Sequence, residues 1–570
     1  MPAPSPHIAT IGRPARRALV AALSGAVLVL GACGSSSHSD GTEADPATAV
    51  PAAAPLYLGV TVRPVGAQRT GAVAAGKELT GRPEPFTSLL GLLQTPGSAR
   101  LQYKRDVAPW LGPHAALFVD SLASAESLVG PLTKALTSGG PLSVSLGGVD
   151  GAIVMDTSDA SAARSFLAGQ AKRAGAHATS YRGVSYEVGR GGVAFGLVGR
   201  FAVIGSESGL RGVIGATQGE AALSAAGGYA KLAAAAPGDA VGHLYVNPLG
   251  SPAGASKAGA GSLALLSGGR QANVSLIASA GSLSLLVDSL AKGSAEGSGG
   301  GLLSPDPEAA QALDELPGDS WLALGLGHVG ANLPADVAGL NALGGLLGSE
   351  AGGSALSLGA LIGGLSKPLS ILAAPNAAAR RDYASWMGSA GVFAAGSSVL
   401  ELKAAVVISS HDPARSRAAV AKLGAALRRA GDEVTHASIA GTEAAVSARL
   451  PGVPLQVEIA AGPGASGAKF VLGLGEASVQ AALAPSETLS SAPARAAAAS
   501  ALDEGAAPSV LADVPTLLAL LESVGLTEDP SLSSILPYLR ATTTLAGGGH
   551  PLSGEVERFK LVLGLKQPAG

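Results

Sequence analysis

The sequence predicts an α+β protein of two tandem related domains, each an antiparallel sheet with packed helices. Three observations carry that expectation. Hydrophobic residues make up 47% of the 570, enough for a sizeable core, whereas aromatics are only 3% and glycines number 81. The core must therefore be built from Ala, Val, Leu and Ile with close backbone approach. Strand patterns follow one another as hairpins around a helix instead of alternating with helices, which points to antiparallel pairing. Finally, one strand–helix–hairpin series is written twice, with the same helix start and stop each time.

The chain opens with Arg13, Arg16 and Arg17, followed by small and apolar residues from Ala18 to Leu30, a run of 13. A basic start, a short apolar run and small residues after it form the pattern of a secretory signal peptide. About 20 apolar residues are needed to span a bilayer core, so this segment engages export machinery without remaining as a span. Arg16-Arg17 matches a twin-arginine signal only in part. Leu30-Gly31-Ala32-Cys33 resembles the lipobox of bacterial lipoproteins. The resemblance implies cleavage between Ala32 and Cys33, a diacylglycerol on the Cys33 sulfur, and a mature chain held outside the cytoplasm on the cell membrane. Each buried acyl methylene contributes about 0.8 kcal/mol, so two or three chains anchor stably. Cys33 is the only cysteine; once lipidated it leaves no thiol for a disulfide, a thiolate metal site or a nucleophile.

Residues 1–32 are thus read as the signal and 33–55 as a tether, because Gly34–Pro55 is rich in Ser, Gly, Ala and Pro without periodicity. As a flexible coil it would span about 25 Å. The first domain is expected over 56–290 and the second over 316–570, with a linker at 291–315 that holds the Gly/Ser run 292–301. Leu56–Val62 and Trp321–Leu326 read as the opening strands. Trp110–Val119 follows in the first copy, with Leu365–Leu372 as its weaker counterpart.

The firmest correspondence comes next. Strand Ala152–Met155 leads to caps at Thr157-Ser158-Asp159 and a helix ending Lys172-Arg173-Ala174-Gly175. Strand Ala404–Ile408 leads to Asp412 as cap, Pro413 at the first helical position and an end at Arg428-Arg429-Ala430-Gly431. Cations in the last turn meet the negative helix end, and glycine accepts the left-handed stop. Two hairpins follow in each copy: 179–188 and 193–204, then 434–446 and 455–474. Helical stretches begin near Ser206 and Glu476, and strands at 273–287 and 554–565 close the copies. If the copies descend from one domain, the helices occupy the same place in each sheet, and the linker lets the copies face each other across a cleft. The exported start, Pro-Trp-Leu-Gly at 109–112, the strand after Leu-Pro-Gly-Asp at 316–319 and the repeated strand–helix–hairpin resemble a family of bacterial envelope proteins classed as a domain of unknown function. That family brings no activity to particular residues.

Chemical motifs are few. Gly325-Leu326-Gly327-His328-Val329-Gly330 fits the dinucleotide fingerprint, but Asn332-Leu333-Pro334 delays the helix that the pyrophosphate needs. Gly462–Gly467 fits too, yet a strand follows it. Gly71–Glu78 approaches a Walker A loop with a carboxylate, Glu78, where magnesium needs a hydroxyl. Gly205-Ser206-Glu207-Ser208-Gly209 places Glu207 at the nucleophile position of a hydrolase elbow. Nine scattered histidines offer no metal spacing. His411-Asp412 could be half of a catalytic pair, but Asp412 is explained as the helix cap. Leu340–Leu365 reads as small-residue helices packed on the sheet. A formal charge of −3 with interspersed signs gives no basic stripe for nucleic acid.

The expectation is a lipid-anchored envelope protein that acts as a non-catalytic binding or scaffold module, with no cofactor, no metal and no catalytic residues. Its partners are the membrane through Cys33 and an apolar small molecule or an envelope protein. The alternative is an envelope hydrolase whose site assembles only in three dimensions.

Overall fold

The computed structural model describes residues 44–80, 101–121, 149–248, 270–291, 305–334, 367–373, 385–398, 400–451, 455–523 and 536–566, with a few isolated positions between them. The chain is α+β, and the twenty strands among the described residues join in one sheet whose pairs are all antiparallel. Ala32 and Cys33 lie outside the described residues, as does Leu340–Leu365 apart from its last residue. Among the described residues no helix is long and apolar enough to cross a membrane.

The first half carries β1 (Leu56–Thr61), β2 (Leu111–Val119), β3 (Gly151–Thr157), β4 (His177–Tyr181), β5 (Val184–Val188), β6 (Val193–Val198), β7 (Phe201–Ser206), β8 (Gly242–Val246), β9 (Ala272–Ser279) and β10 (Ser282–Leu290). The second carries β11 (Ser320–Leu326), β12 (Met387–Ala395), β13 (Lys403–Ser410), β14 (Glu433–His436), β15 (Ala444–Arg449), β16 (Val457–Gly464), β17 (Gly467–Leu474), β18 (Ala507–Asp513), β19 (Thr542–Pro551) and β20 (Val556–Leu565). In the first half the sheet runs β4-β5-β6-β7-β3-β2-β1-β8-β9-β10. In the second it runs β14-β15-β16-β17-β13-β12-β11-β18-β19-β20, the same order. The halves join edge to edge where β10 pairs with β20. They do not face each other across a cleft, because an unpaired strand edge is satisfied best by another strand edge.

Helix α1 (Gly66–Thr80) follows β1. In α2 (Ala160–Arg173) Asp159 Oδ1 accepts from Ser161 N and Ala162 N at φ −138°, ψ 103°. The helices α3 (Glu207–Thr217) and α4 (Gly227–Ala235) follow in the first half. The second half has α5 (Pro307–Asp314), α6 (Pro413–Arg429), α7 (Glu476–Leu483), α8 (Pro493–Ala501), α9 (Val514–Ser523) and α10 (Leu536–Ala541). Asp412 caps α6 at φ −136°, ψ 98° with the same pair of acceptor bonds, and both helices stop at a positive-φ glycine, Gly175 or Gly431. Leu167 of α2 packs with Ile153 and Met155 of β3; Leu423 of α6 packs with Val406 and Ile408 of β13. On the other face Val213 of α3 lies in one cluster with Val154, and Val479 of α7 in another with Val407. Period-two alternation along one strand thus feeds two different cores.

Several expectations are corrected. The segment at 44–55 is not tether: Ala47, Ala49, Val50 and Ala54 are buried in the first core, and Asp45 caps a 3-10 turn at Pro46–Thr48. A three-residue turn is too short to show periodicity. The linker ends before 306, where Asp306 caps α5 and Pro307 opens it. The counterpart of β2 is β12 and not Leu365–Leu372, which is largely helical. Trp110 and Trp386 precede β2 and β12, and their carbonyls accept from Ser158 N and His411 N, each at 2.8 Å. No strand is expected from the sequence at β8, β12, β18 or β19. β19 holds Gly547, Gly548 and Gly549, and a methyl group on Gly548 would lie 2.3 Å from the Ala507 carbonyl oxygen. Close backbone approach, and not strand propensity, decides that segment.

Candidate functional site

Side chains alternate across β10 and β20, so Leu283, Leu285, Val287 and Phe559 form an apolar layer on one face. The intervening residues turn to the other face and line a groove of about 620 Å³. Its floor consists of Ile277, Ser282, Ser284, Leu286, Arg558, Lys560 and Val562, with Thr544 beside them. The walls come from the ends of two helices, Pro237 and Asp239 just after α4, and Ala501 at the end of α8 with Asp503 just beyond it. Each half thus supplies one wall and half the floor. The volume falls in the range of small-molecule sites, about 300–1,000 Å³.

Arg558, Lys560 and Asp503, three of the charged residues lining the groove, are committed to partners. Arg558 Nε donates to Asp288 Oδ1 at 2.7 Å and Nη2 to Oδ2 at 2.9 Å, a two-pronged pair with the Asp288 side chain fully buried. Arg558 Nη2 also donates to the Ala235 carbonyl at the end of α4, at 2.7 Å. Lys560 Nζ donates to Asp503 Oδ1 at 2.8 Å. Two neighbouring cations of β20 therefore hold the two walls. Burial pushes the Asp288 carboxyl up, and Arg558 works against that shift by favouring the carboxylate. The hydroxyls of Ser282, Ser284 and Thr544 and the apolar surfaces of Ile277, Leu286 and Val562 remain as lining.

The motifs singled out in the sequence lie elsewhere. A helix does begin at Val329, within the Gly325–Gly330 motif, contrary to expectation. Gly327 nevertheless faces the Asp306 carboxylate, and a methyl group there would lie 1.9 Å from Asp306 Oδ2. The Asp306 carboxylate thus fills the space beside Gly327. Gly462–Gly467 forms the turn and strand ends of the β16–β17 hairpin. Gly71–Glu78 lies within α1. Ser206 is the N-cap of α3 and accepts from Gly209 N, while Glu207 Oε1 accepts from Tyr186 and Arg211 at 2.9 and 2.6 Å. Asp412 is spent on the α6 cap.

A second polar cluster sits at the start of α5, where His328 Nδ1 lies 3.0 Å from Asp306 Oδ2. Asp336 nearby is buried, and its Oδ2 has no hydrogen-bond partner among the described residues. Burial pushes its carboxyl up to about 7, with Asp306 adding to the shift. No cluster of three or more metal-ligating side chains occurs among the described residues.

The groove residues were missed in the sequence, although the signal was there. Ser282, Ser284, Leu286 and Asp288 alternate with Leu283, Leu285 and Val287, and Arg558 and Lys560 are spaced by two. Such spacing puts them on one face of a strand but does not say which other strand lies alongside. A family model described as protein of unknown function (DUF3352) matches residues 17–545. No curated protein and no solved structure matches the chain.

Proposed function

We propose a function for this chain, which belongs to the DUF3352 family of proteins of unknown function: it is a lipid-anchored, extracytoplasmic envelope protein that acts as a non-catalytic binding module. It is built from two tandem related copies, about 44–291 and 305–566, and binds its ligand in the groove where they meet. The single observation that carries the binding role is this groove, lined by residues of both halves. Its cations are tied to Asp288 and Asp503, an arrangement suited to holding a shape and not to passing protons. The identical pairing order and the matched helix caps support the two-copy reading. Leu30-Gly31-Ala32-Cys33 supports the anchor. The occupant is a small molecule whose apolar part lies along Ile277, Leu286 and Val562, with its polar groups toward the serine and threonine hydroxyls.

Native mass spectrometry of the mature protein, purified from its own cell envelope, tests this reading. A non-protein mass is expected on the parent chain and is expected to be lost from Ser282→Trp and Thr544→Trp, whose indoles fill the groove. A ligand retained by both folded variants, or a parent chain without any bound mass, counts against the groove as the binding site.

A further inference from the structure

Nine consecutive residue pairs join β10 to β20, from Ser282–Gly564 to Leu290–Val556, and their centre is Leu286–Lys560. The registers within each half lead to the same centre. Leu56 pairs with Val246, Val246 with Ala272, and Ala272 with Ser289. In the second half Leu322 pairs with Ala512, Ala512 with Leu545, and Leu545 with Leu563. Ser289 and Leu563 each stand three residues beyond Leu286 and Lys560. The two central residues are therefore equivalent, and the backbone around them has the two-fold arrangement of an isologous dimer interface.

The side chains break that symmetry. Asp288 is equivalent in position to Val562, and Arg558 to Ser284. In the seam as it stands, Asp288 faces Arg558 directly and is buried against it. Arg270–Glu557 at 2.6 Å and Lys231–Glu555 at 2.7 Å add ion pairs between the halves. If β10 met a second β10 in the same geometry, Asp288 would face Ser284 and lie buried without its cation, a costly outcome. If β20 met a second β20, Lys560 would face Lys560, and like charges directly opposite on a sheet repel. The backbone admits three pairings, and the charges favour one of them.

We infer that the two halves are specific partners: each recognises the other non-covalently through this seam and discriminates against a second copy of itself. The inference rests on the two-copy reading above. The apolar face of the seam, where Leu283, Leu285 and Val287 share a cluster with Phe559 and Leu565, supplies the area that holds the halves together. The ion pairs supply the choice of partner.

The test uses the mature full-length chain with a protease site inserted in the Gly/Ser run at 292–301. After cutting, native mass spectrometry and size-exclusion chromatography are expected to find a 1:1 complex of the halves, with any homodimer at least tenfold less abundant at equilibrium. Asp288→Arg is expected to weaken the cut complex at least 100-fold, and adding Arg558→Asp to recover at least tenfold of that loss. Lys560→Leu, a milder change, is expected to let second-half homodimers appear by removing the like-charge contact. Separation of the unmodified halves on cutting, or homodimers as abundant as the mixed pair, overturns the inference. The two-copy reading is judged separately, by whether an experimental structure keeps the same pairing order in both halves.

Discussion

At the scale of single residues, burial decides the chemistry. Asp336 lies 6% exposed, and its carboxyl is held up to about 7. Below the ordinary value of 3.8 the folded and unfolded chains both keep this proton; between there and 7 only the folded chain does. Stability from this group is therefore present at low pH, falls as pH rises through that window and is lost above 7. The variant Asp336→Asn is expected to melt higher than the parent at pH 8 and near it at pH 4, as read by calorimetry. An equal difference at both pH values would show that the group does not titrate in the folded chain. His243 runs the other way: burial lowers its value, so its share of stability is lost as pH falls below about 6.5.

At the scale of elements, the same cap recurs. Asp159 and Asp412 each accept two backbone N–H groups at the start of a helix that packs on the same face of its half-sheet. An N-cap of this kind contributes about 1 kcal/mol. Asp159→Ala and Asp412→Ala are each expected to lower stability by about that amount in urea titration, and the double variant by roughly the sum, since the caps share no partners. The repeated strand–helix–hairpin segments and the ends of α2 and α6 were legible in the sequence, because caps and stops are local. The 3-10 turn at Pro46–Thr48 was not, although Asp45-Pro46 repeats Asp306-Pro307. Its small residues look like tether until the core that covers them is known. The Trp110 and Trp386 match is also local in the sequence, whereas the apolar stretch at 365–372 is largely helical, and β12 is the strand that pairs with β13.

At the scale of the whole molecule, the proposed anchor and the seam concern how the protein is held. Cys33→Ser removes the only sulfur that can carry a lipid, so cell fractionation is expected to find the variant released from the membrane or left as uncleaved precursor. Membrane retention with normal processing would remove the anchor from the proposal. The groove belongs to this scale too. Arg558 reaches α4 of the first half and Lys560 reaches the end of α8 in the second, so the walls are spaced by one strand that belongs to one half.

The sequence by itself determined the α+β class, the antiparallel hairpins and the two capped helices; the proposal of a lipid on Cys33 rests on the sequence alone. These rest on interactions within a few residues of each other: alternation, caps, stops and a short apolar run. Only the tertiary structure decided that the halves join through β10 and β20, that residues 44–55 belong to the first core, and that Asp288 and Arg558 meet. Those contacts join positions as far apart as 288 and 558. Edge pairing depends on which backbone groups are left unsatisfied after each half has folded, and no local pattern records that.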